Sequence, residues 1–362
     1  MSTLHPGADE AHTTATAHRL EGRREDAKHW YRKAADGGHP DAMFWLGGLI
    51  YQDGDLGEAM SWWRRAAEAG HVDATHELGV IAYSRDETAE ATQWYRKAAD
   101  GGHPGAMVSL GDLLLREQGG TEEALGLWRR AADAGHTGAM VGLAGMAARR
   151  GDTDESVEWY RRAADAGHSG AMLKLGTHFL DRDTAEAEAW WLRAKDAGES
   201  DAVFYLGTLY KQLGRAQEAE AHLREAAANG ISSAKFNLAV LFQDSGRSEE
   251  AETWYREAAD AGVVEGLVNL GFLLFEQGRT EEAEACYREA ADSGDTDAMR
   301  SLALLLAAQG RQEEADQWQE KAGGDAMHSL GDLLKAVDGG DSDATHGLAA
   351  LLTALDSGEK AD

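Results

Sequence analysis

The sequence predicts an all-α fold in which antiparallel helix pairs stack one after another as an α-solenoid. Three observations support this prediction. A segment of about 32 residues recurs along most of the chain, the glycines fall at fixed places within it, and only three prolines occur among plentiful Ala, Glu, Leu and Arg. Those four residue types favour helices, and self-similarity at a period of this length is typical of helical repeat proteins.

The period is clearest in a pair of mostly bulky residues in the second half of each repeat. Successive pairs are about 32 residues apart, and the extra glycine of Gly119-Gly120 accounts for the one longer interval. The pairs are Trp30-Tyr31, Trp62-Trp63, Trp94-Tyr95, Leu127-Trp128, Trp159-Tyr160, Trp190-Trp191, His222-Leu223, Trp254-Tyr255, Cys286-Tyr287 and Trp318-Gln319.

Two further markers keep the same period. A leucine followed by a small residue recurs at Leu46-Gly47, Leu78-Gly79, Leu110-Gly111, Leu143-Ala144, Leu175-Gly176, Leu206-Gly207, Leu238-Ala239, Leu270-Gly271 and Leu302-Ala303. A glycine follows each second helix, at Gly38, Gly70, Gly102, Gly135, Gly167, Gly198, Gly230, Gly262 and Gly294. The small residue after each leucine lets the first helix lie close against a neighbouring helix.

Each repeat is predicted to contain two helices, which we call helix A and helix B. In residues 40–71, helix A is expected from Asp41 to Gln52 and helix B from Leu56 to Ala69, because the apolar residues of each recur at helical spacing. Gly70 is expected to end helix B in a left-handed conformation. Neither helix can bury its apolar stripe alone, so each pair needs neighbours and a linear array results.

The ends of the array differ from its middle, and this gives the predicted domain organisation. The chain divides into an N-terminal tail at 1–8, a degenerate capping repeat at 9–39, nine repeats at 40–323, C-terminal capping helices at 324–356, and a tail at 357–362. Near 324–341 a helix B is missing, since two segments that resemble helix A follow each other directly.

The composition excludes several classes of function. A formal net charge of −29 argues against nucleic acid and against an anionic membrane surface, and it favours basic partners. One cysteine, Cys286, rules out an internal disulfide bond. No apolar run resembles a signal peptide or a membrane span, so a cytoplasmic location is expected.

The repeats resemble those of a known family. WYRKAADGGHPDAM at 30–43 returns as WYRKAADGGHPGAM at 94–107 and as WYRRAADAGHSGAM at 159–172. These strings are similar to Sel1-like repeats, a branch of the tetratricopeptide superfamily, and the resemblance covers roughly residues 23–350. It implies a right-handed α-solenoid that acts as a non-catalytic scaffold or adaptor for a partner protein or peptide. The 32-residue period is shorter than the 34 residues of the tetratricopeptide repeat.

The resemblance also implies that helix A lines a concave surface, at positions one and two before and two after the leucine of each Leu-small pair. One residue before the leucine lie Trp45, Glu77, Ser109, Gly142, Lys174, Tyr205, Asn237, Asn269 and Ser301. Two residues after it lie Gly48, Val80, Asp112, Gly145, Thr177, Thr208, Val240, Phe272 and Leu304.

Within that surface we select a candidate partner-binding groove over residues 204–272. Asn237 and Asn269 are equivalent in adjacent repeats, and their amides could pair with the backbone of an extended peptide. Phe204, Tyr205, Phe236 and Phe272 lie beside them and could hold apolar side chains. The alternative is that these aromatic residues simply pack between repeats.

No catalytic, cofactor-binding or metal-binding residues are predicted. Five histidines occupy one repeat position, His39, His71, His103, His136 and His168. Equivalent residues of adjacent repeats should lie about 10 Å apart, too far to share an ion, so turn and capping roles are expected. Cys286 stands where most repeats have Trp and is expected to be a buried small hydrophobe.

The sequence therefore predicts a binding scaffold and not an enzyme. A second hypothesis is a structural homo-oligomer that assembles through its terminal repeats, with the missing helix B near 324–341 as the docking notch.

Overall fold

The computed structural model describes residues 7–116 and 120–323. In this part of the chain there are twenty α-helices and no strand. They are α1 (Ala8–Leu20), α2 (Arg24–Asp36), α3 (Pro40–Gln52), α4 (Leu56–Glu68), α5 (Val72–Ser84), α6 (Thr88–Asp100), α7 (Pro104–Arg116), α8 (Thr121–Asp133), α9 (Thr137–Arg149), α10 (Thr153–Asp165), α11 (Ser169–Phe179), α12 (Thr184–Asp196), α13 (Ala202–Gln212), α14 (Ala216–Ala228), α15 (Ser232–Asp244), α16 (Ser248–Asp260), α17 (Val264–Glu276), α18 (Thr280–Asp292), α19 (Thr296–Ala308) and α20 (Gln312–Lys321).

The odd-numbered helices are the predicted helices A and the even-numbered ones the helices B. The helix expected from Asp41 begins one residue earlier, at Pro40, because proline suits the first turn of a helix. The helix expected to end at Ala69 ends at Glu68. Both differences are within the uncertainty of helix termini.

The chain forms two compact units, with the boundary between Leu175 and Gly176 inside α11. In the first unit each helix from α1 to α10 packs on the next where the structure describes both. In the second unit the same holds from α12 to α20, and α13 also contacts α15, the next helix A. Each unit is therefore a stack of antiparallel helix pairs, and the predicted all-α solenoid fold is confirmed.

The Leu-small pair packs against the second residue of the bulky pair. The indole of Trp63 lies over Gly47, that of Trp128 over Gly111, and the Tyr95 ring over Gly79. These large side chains are buried, with Trp63 only 3% exposed. The core of each repeat is thus a leucine, a small residue and one large side chain of helix B.

The first residue of the bulky pair lies nearer the surface and carries charged neighbours. The indole of Trp62 donates to Glu58 at 3.2 Å and stacks under the Arg65 guanidinium, 4.1 Å from the ring centroid. Trp159 has the same two partners, Glu155 and Arg162. Helix spacing explains the arrangement, since residues three and four apart share one face.

The turn after each helix B has the predicted left-handed glycine. Gly70 has φ +91°, and the other eight glycines at this repeat position also have positive φ. In the turn between α5 and α6, Asp86, with φ +59°, stands where the preceding repeat has Gly54 at φ +93°. Aspartate tolerates this conformation better than most residues, but less well than glycine.

The five equivalent histidines cap helices A, as predicted. In each one Nδ1 accepts the backbone N–H three residues later, at 3.2 Å from His71 to Ala74 for example. The Nε2 atom of His71 lies 3.3 Å from Asp41 on the preceding helix A, and His103 lies 3.4 Å from Asp73 in the same way. Each of these caps therefore also ties two successive helices A together.

The predicted domain organisation stays a prediction. The C-terminal capping helices at 324–356, the docking notch near 324–341 and the tail at 357–362 lie outside the described residues, as do residues 1–6. In the region assigned to the degenerate first repeat, α1 and α2 form a complete helix pair. None of the helices in the described ranges has the length and apolar character that a membrane span needs.

Candidate functional site

The six residues of the candidate groove lie on three consecutive helices A. Phe204 and Tyr205 are on α13, Phe236 and Asn237 on α15, and Asn269 and Phe272 on α17. All six are half-buried. Because α13 contacts α15, the structure brings the first four residues together on adjoining helices. We call these six residues the 204–272 face.

Asn237 links two helices A through its side-chain amide. Its Nδ2 donates to Thr208 Oγ1 at 3.4 Å, and its Oδ1 accepts from Lys211 Nζ at 3.2 Å. Burial lowers the pKa of the Lys211 ammonium, although Asp244 acts in the opposite direction. The amide thus helps to satisfy a half-buried cation, and one of its N–H groups has no hydrogen bond to any described residue.

Asn269 is equivalent in sequence but has a different partner. Its Nδ2 donates to the phenol oxygen of Tyr255 at 3.4 Å, on the neighbouring helix B. Tyr255 is fully buried and donates in turn to Gln243 at 2.5 Å. Burial raises the pKa of the Tyr255 phenol to about 12. The carbonyl oxygen of Asn269 has no hydrogen bond within the described chain, so it can accept one.

The aromatic side chains of the 204–272 face pack partly against neighbouring side chains of the same and the preceding repeat. Tyr205 stacks on Trp191 with centroids 5.3 Å apart, and Phe204 meets Tyr205 edge-on at 5.8 Å. Phe236 lies 6.0 Å from Tyr255. These rings therefore pack between helices, as the alternative expected, and keep part of their surface exposed. Their role in holding a partner's side chains stays a prediction.

Sequence reasoning missed a more exposed set of aromatic residues. Trp45 and Tyr51 on α3 and Tyr83 on α5 are among the exposed large hydrophobic side chains. Trp45 occupies a predicted lining position but was not selected. Tyr51 and Tyr83 share one repeat position five residues after the leucine, and that repetition is the signal that could have found them.

One group of metal-ligand side chains is present in the described part of the chain. Donor atoms of His12, His39 and Asp41 lie within 4.8 Å of one another. The two imidazoles are stacked, with centroids 4.2 Å apart and an angle of 18°, so their in-plane lone pairs do not converge. His39 Nδ1 also accepts the Ala42 N–H at 3.4 Å. This geometry fits ring stacking and helix capping.

Cys286 is half-buried. Burial raises the pKa of its thiol, which favours the neutral form over the nucleophilic thiolate. The sequence interpretation of this residue as a small apolar side chain agrees with that environment.

The family is decided by comparison with known repeats. The tetratricopeptide repeat family model matches residues 13–74, 113–171, 204–262 and 268–327. The chain belongs to the tetratricopeptide repeat family. The Sel1 repeat model matches residues 74–103 and 170–199 of this tetratricopeptide repeat protein. Proteins of this kind are typically non-catalytic and generally act as scaffolds for protein–protein interaction.

Solved structures show the same fold. A protective antigen of uropathogenic Escherichia coli strains with an SLR fold has a TM-score of 0.71 and 22% identity, over 97% of this chain and 88% of that one. A Sel1 repeat protein from Oxalobacter formigenes has a TM-score of 0.58 and 25% identity, over 78% of this chain and 92% of that one. A search of curated proteins found no match.

Proposed function

We propose that this tetratricopeptide repeat protein is a non-catalytic scaffold that binds a partner protein or peptide on the 204–272 face. The observation that carries the proposal is the pair of equivalent amides, Asn237 and Asn269, each half-buried on a helix A with hydrogen-bonding capacity left unused. A peptide backbone offers the N–H and C=O groups that such amides bind.

The surroundings of the two amides support the same proposal. Phe204, Tyr205, Phe236 and Phe272 offer partly exposed aromatic surface, and aromatic residues are frequent anchors in protein interfaces. The net charge of −29 favours association with a basic partner.

The experiment begins with a pull-down from the native host followed by mass spectrometry. The affinity of the captured partner is then measured for the double variant Asn237→Ala/Asn269→Ala. We expect affinity to fall by roughly tenfold, equivalent to about 1.4 kcal/mol. The control is Asn229→Ala, because Asn229 is an exposed amide at the end of α14, on a helix B. An unchanged affinity for a double variant with a wild-type circular dichroism spectrum would contradict the proposal.

The second candidate function is a structural homo-oligomer assembled through the terminal repeats. Its predicted docking notch lies outside the described residues, so only solution behaviour tests it. Light scattering measures the molar mass in solution, and a monomer at micromolar concentration would exclude the homo-oligomer.

A further inference from the structure

The first unit has an exposed aromatic surface on two consecutive helices A. Trp45 and Tyr51 on α3 are 37% and 52% exposed, and Tyr83 on α5 is 40% exposed. Val80 on α5 is 39% exposed. Among the residues that the structure describes, no other Phe, Trp or Tyr side chain is as exposed as these three. Aromatic surface of this kind marks an interaction site more often than isolated aliphatic exposure does.

Open space lies over the backbone between the aromatic residues of α3. Gly48 stands three residues after Trp45 and three before Tyr51, on the same helix face. A β-carbon placed on Gly48 would have no atom within 4 Å, so the space above this backbone is open. We call this open surface, with Gly48 at its centre and Trp45 and Tyr51 on either side along the helix, the slot.

The next helix A carries a carboxylate, Glu77, at the repeat position that faces the Tyr51 position of the preceding helix A, as Asn237 faces Lys211. Glu77, Val80 and Tyr83 on α5 are the repeat equivalents of the three residues on α3, and the first turns of the two helices are joined by the contact between His71 and Asp41. Glu77 is half-buried, and its carboxylate has no hydrogen bond or ion pair within the described chain. Burial raises the pKa of this carboxyl, and Asp73 raises it further. A partly desolvated, unpaired carboxylate is stabilised by a cation placed next to it.

Two of the chain's own arginines contact the aromatic residues of this surface. From the preceding helix A, the Arg19 guanidinium lies 4.1 Å from the centroid of the Trp45 ring. From the following one, Arg116 Nη1 donates to the Tyr83 phenol at 3.0 Å. These cations lie on the helices A to either side of α3 and α5, whereas no cation among the described residues is paired with Glu77 on α5.

We propose that the slot formed by Trp45, Gly48, Tyr51 and Glu77 binds one Lys or Arg side chain of a partner polypeptide. The Tyr51 ring would contact the cation by cation–π interaction and Glu77 would pair with its charge, while Trp45, whose ring already contacts Arg19, would border the site. The net charge of −29 would draw such a basic segment to the surface. This inference rests on the proposed scaffold function but names a different surface and the chemistry of its ligand.

The test uses blocked dipeptides as probes, so no native partner is needed. Acetyl-Leu-Arg-amide and acetyl-Leu-Lys-amide are titrated into the full chain, and the indole N–H resonance of Trp45 is followed by NMR. The resonance is assigned from its loss in Trp45→Phe. We expect a saturable shift with both basic peptides and none with acetyl-Leu-Glu-amide. Absence of a saturable shift, or an equal shift with the acidic peptide, would overturn the proposal.

Three variants give the test its specificity. Glu77→Gln keeps the shape of the side chain and should weaken binding at least about fivefold. Gly48→Leu fills the open space and should abolish the shift while the fold is retained. The matched control, Glu265→Gln, changes an exposed carboxylate of the second unit and should leave the titration unchanged. Wild-type binding by Glu77→Gln and Gly48→Leu would also overturn the proposal.

The outcome can be separated from that of the scaffold proposal. The variant Asn237→Ala/Asn269→Ala should bind the basic dipeptides like the wild type, because the 204–272 face is not part of the slot. If the captured partner responds to the Asn variants while the dipeptides never bind, only the present inference fails.

Discussion

The indole of Trp63 lies so close to the backbone of Gly47 that a β-carbon on Gly47 would stand 2.7 Å from its Nε1 atom. That indole also donates to the carbonyl of Phe44 at 3.1 Å, so the ring is fixed in place. The contact joins helix A to helix B inside one repeat, and it explains why the residue after the leucine is small.

Gly47→Ala should therefore destabilise the protein, by about 1–3 kcal/mol from overpacking. The neighbouring Gly48 is the matched control, because a β-carbon there meets open space. Gly48→Ala should raise stability by about 0.5–1 kcal/mol, since alanine favours helix interiors. Denaturant unfolding of the two variants measures both effects, and equal shifts would show that helix propensity, not the Trp63 contact, governs this position.

Acid should destabilise the first unit through the stacked imidazoles of His76 and His103, whose centroids are 4.3 Å apart. Burial lowers the pKa of His76 from 6.5 to about 4, His103 lowers it further, and Asp73 opposes the shift. Because the pKa of His76 is lower in the folded protein than in the unfolded chain, folding favours the neutral imidazole. The protein therefore has its full stability above pH 6.5 and loses this contribution as the pH falls towards 4.

His76→Phe should remove this part of the acid sensitivity. The position accepts phenylalanine, because Phe44 is the equivalent residue of the preceding repeat and stacks on His71 with ring centroids 4.6 Å apart. Between pH 7 and pH 4 the wild type should lose on the order of 2 kcal/mol more of its free energy of unfolding than the variant does. Urea unfolding at the two pH values tests this. Identical losses in both proteins would rule out His76 as the source.

Asp86→Gly should stabilise the protein by about 0.5–1 kcal/mol, because Asp86 has the left-handed φ that glycine adopts without cost. Gly54 already occupies the equivalent turn of the preceding repeat. The control is Arg85→Gly, where φ is −99° and glycine should lower stability. Thermal unfolding of the two variants should shift in opposite directions; a lower melting temperature for Asp86→Gly would refute the argument.

Glu284→Gln should lower the stability of the second unit by about 1 kcal/mol at low salt. Its carboxylate accepts from Arg288 at 2.9 Å and from Arg311 at 2.8 Å, and its side chain is only 15% exposed. Although burial alone would raise the pKa of Glu284, these two arginines lower it.

The effect of Glu284→Gln should shrink in about 1 M salt, where charges are screened within about 3 Å. Glu289→Gln, on the exposed face of the same helix, serves as the control and should have little effect. A loss of stability that does not depend on salt would show that the side chain acts by packing and not by charge.

Local sequence signals were sufficient for the helices and turns. The spacing of Leu46, Trp62 and Trp63 predicted α3 and α4 to within one residue, and Gly70 predicted the turn that follows. These features depend on residues only a few positions apart, so a single repeat contains the information. The capping role of the five equivalent histidines was predicted differently, from the distance between adjacent repeats.

The candidate surfaces were predicted less completely. Asn237 and Asn269 occupy the same repeat position, yet one binds Thr208 and Lys211 and the other Tyr255. Nothing within a repeat distinguishes them, because their partners come from neighbouring helices. The exposure of Trp45 and Tyr51 was missed for the same reason, since burial depends on which side chains the adjoining repeats place nearby.

The sequence by itself determined the period, the helix pairs, the turns and the family, because each follows from short-range residue patterns that recur in register. Only the tertiary structure decided which equivalent side chains are buried, which are hydrogen-bonded and which face solvent. Stacking places residues about 32 positions apart in contact, and the chemistry of each surface depends on those distant neighbours.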